Sequence, residues 1–440
     1  MTTRHLALTA ILAASPALAG PDVVAGDILS PAHFGPVGDI HAYSFAATAC
    51  NLGDTDLAWN LDTTAHPVII ENLYRVHDGR LEQVGLSFAQ HVIIPLQGNL
   101  CAFCTPPQDA SHLGAGCSNT DSAQLASYQP RLAPRAGVNA STGVFPFPFA
   151  GLNADPASVI DRRLQVPESL LTPGDQYFAE LQYVAADDAS AGAGANNASS
   201  RALTLLPNLS FALLGSTQSE TPAILAWADS DPDVVVQTVD IEGDGRFHIA
   251  AKVVDQGDGT WRYHYVIHNQ SSNLSAAGIY IPVVVAQVYD PDFHAPQYHS
   301  GSPVSNDPWA FWIGNASVAW FTDPYSPGND QSANAVRWGT TYTFSLTTES
   351  RPTTSDVTIA LFRPGGVQSS FTVPLPTPGL QFCSGADIAE PFGQLDFSDV
   401  VAFLTAFSQG LPIADYAEPF GQFDFSDVVA FLSEFAEGCP

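Results

Sequence analysis

Eight carboxylates near the C-terminus form the clearest chemical pattern in the chain. Asp387, Glu390, Asp396 and Asp399 recur as Asp415, Glu418, Asp424 and Asp427 at an offset of 28. Oxygen ligands at set positions in a loop, closed by an acid where a helix starts, suit Ca²⁺, which takes about six to eight oxygens. Gly393 and Gly421 permit a sharp turn in each loop. The elements that must hold these acids follow from the pattern around them. Residues 386–407 return as 414–435, and only Ile388/Tyr416, Leu395/Phe423, Thr405/Ser433 and Ala406/Glu434 differ. Ser398 and Ser426 sit where an N-cap belongs. Val400, Val401, Phe403, Leu404 and Phe407 then follow helical spacing, as do Val428, Val429, Phe431, Leu432 and Phe435. One loop–helix unit cannot bury its own apolar face, but two packed together can. Cys383 and Cys439 bracket the pair and would staple its ends.

This duplicated segment resembles a dockerin, specifically the GC-type dockerin-like domain, which ends in Gly-Cys as Gly438-Cys439 does. The resemblance covers residues 383–440. It implies two calcium loops as cofactor sites and a partner held through those residues, a cohesin-like or other cell-envelope protein. The loops depart from the family pattern. With Asp387 first and Asp399 as the closing acid, each loop holds one extra residue, Ala389 takes the third position and Pro391 falls near the fifth. Two readings therefore stand: loops filled by calcium, or loops held by packing of Phe392 and Phe397. The body, residues 20–380, is similar to uncharacterised secreted bacterial proteins that carry such tails, which implies architecture and no chemistry.

The N-terminus reads as a secretory signal. Arg4 and His5 precede the apolar run 6–14, and Ala17-Leu18-Ala19 supplies a small-x-small cleavage site, so cleavage is expected after Ala19. No segment reaches the ~20 apolar residues that a spanning helix needs. The chain is thus expected to be exported, extracellular or at the cell surface, and not membrane-spanning. Acids outnumber bases 44 to 14, for a net charge of −30, which argues against a nucleic-acid partner. Six cysteines in an oxidising compartment favour disulfides. Cys50, Cys101, Cys104 and Cys117 allow three pairings. The spacing of Cys101, Cys104, His112 and Cys117 leaves a structural zinc site as the rival reading.

The body reads as mainly β: one or two sandwich-like domains ahead of the small helical dockerin-like module. The divisions are 20–150, a Cys-containing β-rich domain; 151–235, mixed strand and loop that stands alone or continues the N-terminal domain, including a loop within 184–200 and a short strand at 223–227; 236–371, an immunoglobulin- or fibronectin-like sandwich; and 372–382, a Pro-rich linker. Phe247, Ile249, Ala251 and Val253 alternate, as do Trp261, Tyr263, Tyr265 and Ile267. Matching these faces requires a three-residue turn, Gly257-Asp258-Gly259, that pairs Gln256 with Thr260. His248 then faces His268, and Lys252 faces His264, on the face away from the aromatics. That face reads as polar and solvent-exposed, or else as a metal site made by three histidines.

No catalytic motif stands out, and no catalytic residue is assigned. Glu71, Asp78, Glu82 and His91, with Arg75 and Arg80, could bring two acids together as glycosidases do, but a plain hairpin explains them as well. Asp290, Asp292, His294 and His299 fall between strands and read as turn formers. Trp309 and Trp312, beside Pro308, are the candidate surface pair for a polysaccharide, with burial in the core as the alternative. The expected function is a non-catalytic surface or extracellular protein anchored through its tail. The alternative is a secreted carbohydrate-active hydrolase delivered by that tail. N-terminal sequencing of the exported protein is expected to read Gly20-Pro21-Asp22; a start at Met1 would remove the export argument.

Overall fold

Period-two alternation over long stretches dictates strands, and strands make most of the body. The structure is a computed structural model; it describes residues 20–91, 93–149, 155–283, 288–299, 301–314, 316–328, 330–379, 384–389 and 395–438. Residues 1–19, where the secretory signal is expected, and Glu390, Cys383 and Cys439 lie outside the described residues.

The first sheet is built from β1 (Val23–Val37), β2 (Ile40–Asn51), β4 (Val68–His77), β5 (Arg80–Leu86), β10 (Leu164–Pro167), β11 (Gln176–Val184), β12 (Ala198–Leu205) and β13 (Phe211–Leu213). Its order is β1-β2-β10-β5-β4-β11-β12-β13, with β6 (Ala89–His91), β8 (Ser118–Asp121) and β9 (Leu132–Ala133) on side branches. β3 (Leu57–Ala58) and β7 (His112–Leu113) make a separate small pair. β1 crosses back over β11 and β12, so the sheet curls around a core that includes Tyr43, Phe45, Trp59, Leu73 and Tyr177. Strands β10 to β13, from Leu164 to Leu213, belong to this same sheet, in line with a 151–235 region that continues the N-terminal one. Two helices lie where loop and strand were expected. α2 (Ala186–Ala191) falls in 184–200, and α3 (Ala223–Ser230) replaces the strand at 223–227. α3 buries Ala223, Ile224, Ala226 and Trp227 on one side. That apolar run is helix because its spacing suits a helix face as well as a strand. A four-residue helix, α1 (Ala123–Ala126), packs beside β2.

Two disulfides, Cys50–Cys101 and Cys104–Cys117, tie the loops beside β2 and β8. They remove the zinc reading, and His112 Nδ1 instead lies 2.9 Å from Asp109 Oδ1.

The second sheet runs β14 (Val234–Asp240), β15 (Arg246–Asp255), β16 (Trp261–Asn269), β21 (Thr340–Thr348), β18 (Tyr289–His294). The third runs β19 (Ala310–Ile313), β20 (Ser317–Phe321), β17 (Ala276–Pro282), β22 (Pro352–Leu361), β23 (Ser370–Pro378). They enclose a core of Phe247, Ile249, Tyr263, Tyr265, Ile279, Trp320, Phe344 and Leu375 among others. The hairpin register is as the alternation required: His248 opposes His268, Lys252 opposes His264, and Gln256 N–H donates to Thr260 O at 3.0 Å. Gly259 has φ +93°, the left-handed position that closes the turn. The expected linker at 372–382 is overturned over 372–378, because β23 pairs with β22 along its whole length. Val373, Leu375 and Thr377 turn inward. Pro374, Pro376 and Pro378 alternate with them, so their missing donors fall on the free edge, where a ladder loses nothing.

The second sheet is the middle layer. Its other face packs on the first sheet and α3 through Tyr74, Leu81, Phe178, Trp227, Ala250 and Val266. Polar groups cross this seam. Thr341 N–H donates to Gln83 Oε1 at 2.7 Å, and His294 Nε2 and His299 Nε2 lie 3.0 and 2.7 Å from Gln83 O and Leu86 O. Arg135 is buried here. Its Nε donates to Ser87 O (2.6 Å), Nη1 to Gly339 O (2.9 Å), and Nη2 to Glu71 O (2.8 Å) and Asn72 Oδ1 (2.9 Å). Arg135→Met takes a donor from four buried acceptors, of which Glu71 O keeps Ser87 N–H and Gly339 O keeps Gln83 Nε2–H, and is expected to lower the unfolding free energy by about 2–5 kcal/mol in urea titration. A loss under about 0.5 kcal/mol, the scale of a neutral surface change, would show that the seam does not hold the layers.

Candidate functional site

The duplicated tail supplies the best-formed candidate surface. α4 (Phe397–Ser408) and α5 (Phe425–Glu437) are its two helices. Each starts on a capping box, and the cap is the acid, not the expected serine. Asp396 Oδ1 accepts Ser398 N–H at 2.6 Å, and Asp424 Oδ1 accepts Ser426 N–H at 2.7 Å. Asp399 and Asp427 reach back from the third helical position. The helices meet on Phe403 and Phe431, repeat mates whose rings stack at 4.1 Å and 7°. Ile388, Val400, Phe407, Tyr416, Val428 and Phe435 pack around them.

Burial of those positions leaves a second stripe uncovered on each helix. Phe397 and Phe425 are 78% and 77% exposed, and Val401/Val429 and Leu404/Leu432 are exposed beside them. Each pair occupies equivalent places in the two repeats. The module therefore carries the same apolar row twice.

The carboxylates serve the loops themselves. Asp399 Oδ1 accepts Ile388 and Ala389 N–H, both at 2.8 Å, and its Oδ2 accepts Asp396 N–H at 2.9 Å. Asp427 repeats this with Tyr416, Ala417 and Asp424. The Asp424, Ala417 and Tyr416 donors hold the Asp427 carboxyl below its usual range. Asp415 Oδ2 accepts Gly421 N–H at 2.6 Å, and Glu418 is exposed. In this second loop only Asp415 Oδ1 is a buried oxygen without a partner. The described residues hold no cluster of three or more candidate metal ligands. In the first loop Asp387 is buried, while Glu390 lies outside the described residues.

The aromatic pair does not form a platform. Trp309 is buried, donates from Nε1 to Asn334 O at 2.5 Å and stacks on Phe293. Its neighbour Trp312 is 50% exposed on strand β19. Three-residue spacing places the two rings on opposite faces of a strand, which a helical spacing would not.

The three histidines of the hairpin are also buried, contrary to the expected solvent face. The layer that covers them comes from residues distant in sequence. His248 bonds Thr238 Oγ1 (2.8 Å) and Gln270 Oε1 (2.7 Å), His264 bonds Ser345 Oγ (2.8 Å), and His268 bonds Thr341 Oγ1 (2.8 Å). Desolvation lowers His248 to about 4 and His264 and His268 to about 3. Lys252 pairs with Asp231 at 2.5 Å. Asp292 pairs with Arg80, so the 290–299 segment fastens the layers.

The acids of the first hairpin do not converge. Glu71 accepts Ser44 Oγ–H at 2.8 Å, and its burial raises it to about 7. Glu82 is sealed between Arg75 (2.7 Å) and Arg80. Asp78 lies in the exposed turn, and His91 packs on Phe149, 3.0 Å from His66. At the β15–β16 tip an open cleft of about 530 Å³ is lined by Asp255, Asp258, Trp261 and Glu349. Asp255 and Asp258 accept turn N–H groups there, and Asp258 is held low by its bonds to Thr260. No protein-family model matches the chain, and no curated protein matches it.

The histidines set a pH dependence. Those above, with His66 and His299 (about 4) and His91 (about 3), all sit below the ordinary 6.5. The unfolded chain therefore takes up protons first as pH falls below 6.5, and folded stability is lost between there and about 4. Glu71 and Asp188, raised to about 7, act oppositely but are fewer. Stability is expected to fall from pH 7 to pH 5, with each such histidine giving up to about 2 kcal/mol before that offset. His264→Gln and His268→Gln should flatten the dependence in urea titrations. Equal or greater stability at pH 5 would contradict it.

Proposed function

We propose that this is an exported, non-catalytic surface or extracellular protein that docks a cell-envelope protein, cohesin-like or otherwise, through residues 383–440. The observation that carries the reading is the apolar row Phe397, Val401, Leu404, repeated as Phe425, Val429, Leu432, uncovered on both helices. A patch of aromatic and branched side chains left in water on a small module is what a partner protein covers. Two disulfides and the lack of any described helix able to cross a membrane accord with export. Calcium is not needed for this reading, because Asp399 and Asp427 already tie the loops.

The hydrolase alternative needs an acid of raised pKa open to substrate. The acids raised to about 7, Glu71 and Asp188, are buried and bonded inside the body.

The test is capture of envelope proteins by the immobilised full chain. A defined partner is expected with calcium and with chelator alike. Phe397→Ser or Phe425→Ser alone should leave capture in place, since the other row remains, and the double variant should lose at least tenfold. Capture unchanged in a double variant that keeps the melting temperature would sink the docking surface. Capture only with calcium would restore a metal site in the loops.

A further inference from the structure

At one end of the seam the layers enclose a cavity lined by Phe88 and Arg135 from the first body and by Tyr298, Arg337, Trp338 and Arg363 from the sandwich. Its free space is about 30 Å³, room for one or two waters and too little for a sugar ring. Three guanidinium groups meet there in a chain whose net charge is −30.

Their partners do not balance. Asp330 takes Arg363 through both oxygens, with Nε 2.7 Å from Oδ1 and Nη2 3.0 Å from Oδ2. Arg135 donates to carbonyl and amide oxygens, not to a carboxylate. Arg337 is 5% exposed. Its Nη2 donates to Ala333 O at 3.2 Å and to Asp330 O, and its Nη1 stands 3.6 Å from the already occupied Asp330 Oδ2. Nε and Nη1 of Arg337 have no hydrogen-bond acceptor. A buried cation with unused donors is a costly arrangement unless something compensates it.

We propose that the cavity binds one small monovalent anion, chloride or a formate-sized carboxylate, which accepts from Arg337 and supplies the missing negative charge. The long-range field of so acidic a chain repels anions, so occupancy reflects the local guanidinium cluster. Because both bodies line the cavity, the anion also clamps the layers and stabilises the folded state by mass action.

The experiment is thermal unfolding of the full chain at one ionic strength, with sodium isethionate replaced stepwise by chloride or by formate. Isethionate is too large for the space. The expected result is a saturable rise of a few degrees for the anion that fits, and the two arms tell chloride from carboxylate. Arg337→Gln should abolish the rise. Arg337 also supports the carbonyls of Asp330 and Ala333, so a second variant leaves it intact. Ser302→Asp places a tethered carboxylate in the cavity lining and should remove the anion dependence while holding the melting temperature at or above that of the saturated parent. Identical melting in all three salts overturns the proposal and leaves the cavity to water. A rise that persists in both variants overturns it as well.

Discussion

A buried guanidinium must find acceptors, and Arg135 takes its four from both sides of the seam. This requirement sets the position of the middle layer. Ser87, Glu71 and Asn72 belong to the first sheet and its loops, while Gly339 leads into strand β21. Gly339 has φ +68°, and a Cβ there would stand 2.3 Å from Ile70 Cδ1 and 2.9 Å from Arg135 Nη1, so glycine suits the left-handed backbone and leaves room for the Ile70 and Arg135 side chains. Once β21 is placed, its hydroxyls meet their partners: Thr341 the ring of His268, Thr343 the carbonyl of Leu81, Ser345 the ring of His264. Specific polar contacts in a low-dielectric layer fix alignment because a slipped register would orphan them.

Local pattern carried the hairpins. Phe247 and Tyr265 alternate so strictly that the turn length and the cross-strand histidine pairs could be read from parity alone. What parity could not say was what covers the other face. His248, His264 and His268 look like surface residues until β4, β5 and α3, distant in sequence, are laid over them. The same limit explains Trp309, whose burial depends on Phe293 and Asn334. The prolines of β23 misled in a different way. Their density suits a spacer, and only the positions of the unbonded edge show that a strand tolerates them.

The tail was legible as a duplicated loop–helix unit because its repeat is nearly identical in sequence. Its loop chemistry was less so. Spacing of acids invites a cation, yet Asp399 and Asp427 turn out to fold the loops by accepting backbone N–H groups, a role that needs the same residue at the same position. Sequence could not separate the two, since a carboxylate is an oxygen ligand and a hydrogen-bond acceptor alike. The exposed rows also escaped notice: Phe397, Val401 and Leu404 lie one turn-fraction away from the buried stripe, and periodicity alone assigns apolar residues inward.

The free edge of the third sheet has a consequence outside the fold of a single molecule. Along β23 Pro374, Pro376 and Pro378 bring no N–H donors, only Pro374 of the three is exposed, and the Pro376 carbonyl already accepts from the Tyr265 hydroxyl at 2.9 Å. A strand from a neighbouring molecule laid against that margin would find half of each hydrogen-bonded rung missing, so sheet-to-sheet growth stops there. In a chain built largely of strands, that margin is thereby closed to the edge-to-edge pairing through which sheets of separate molecules join.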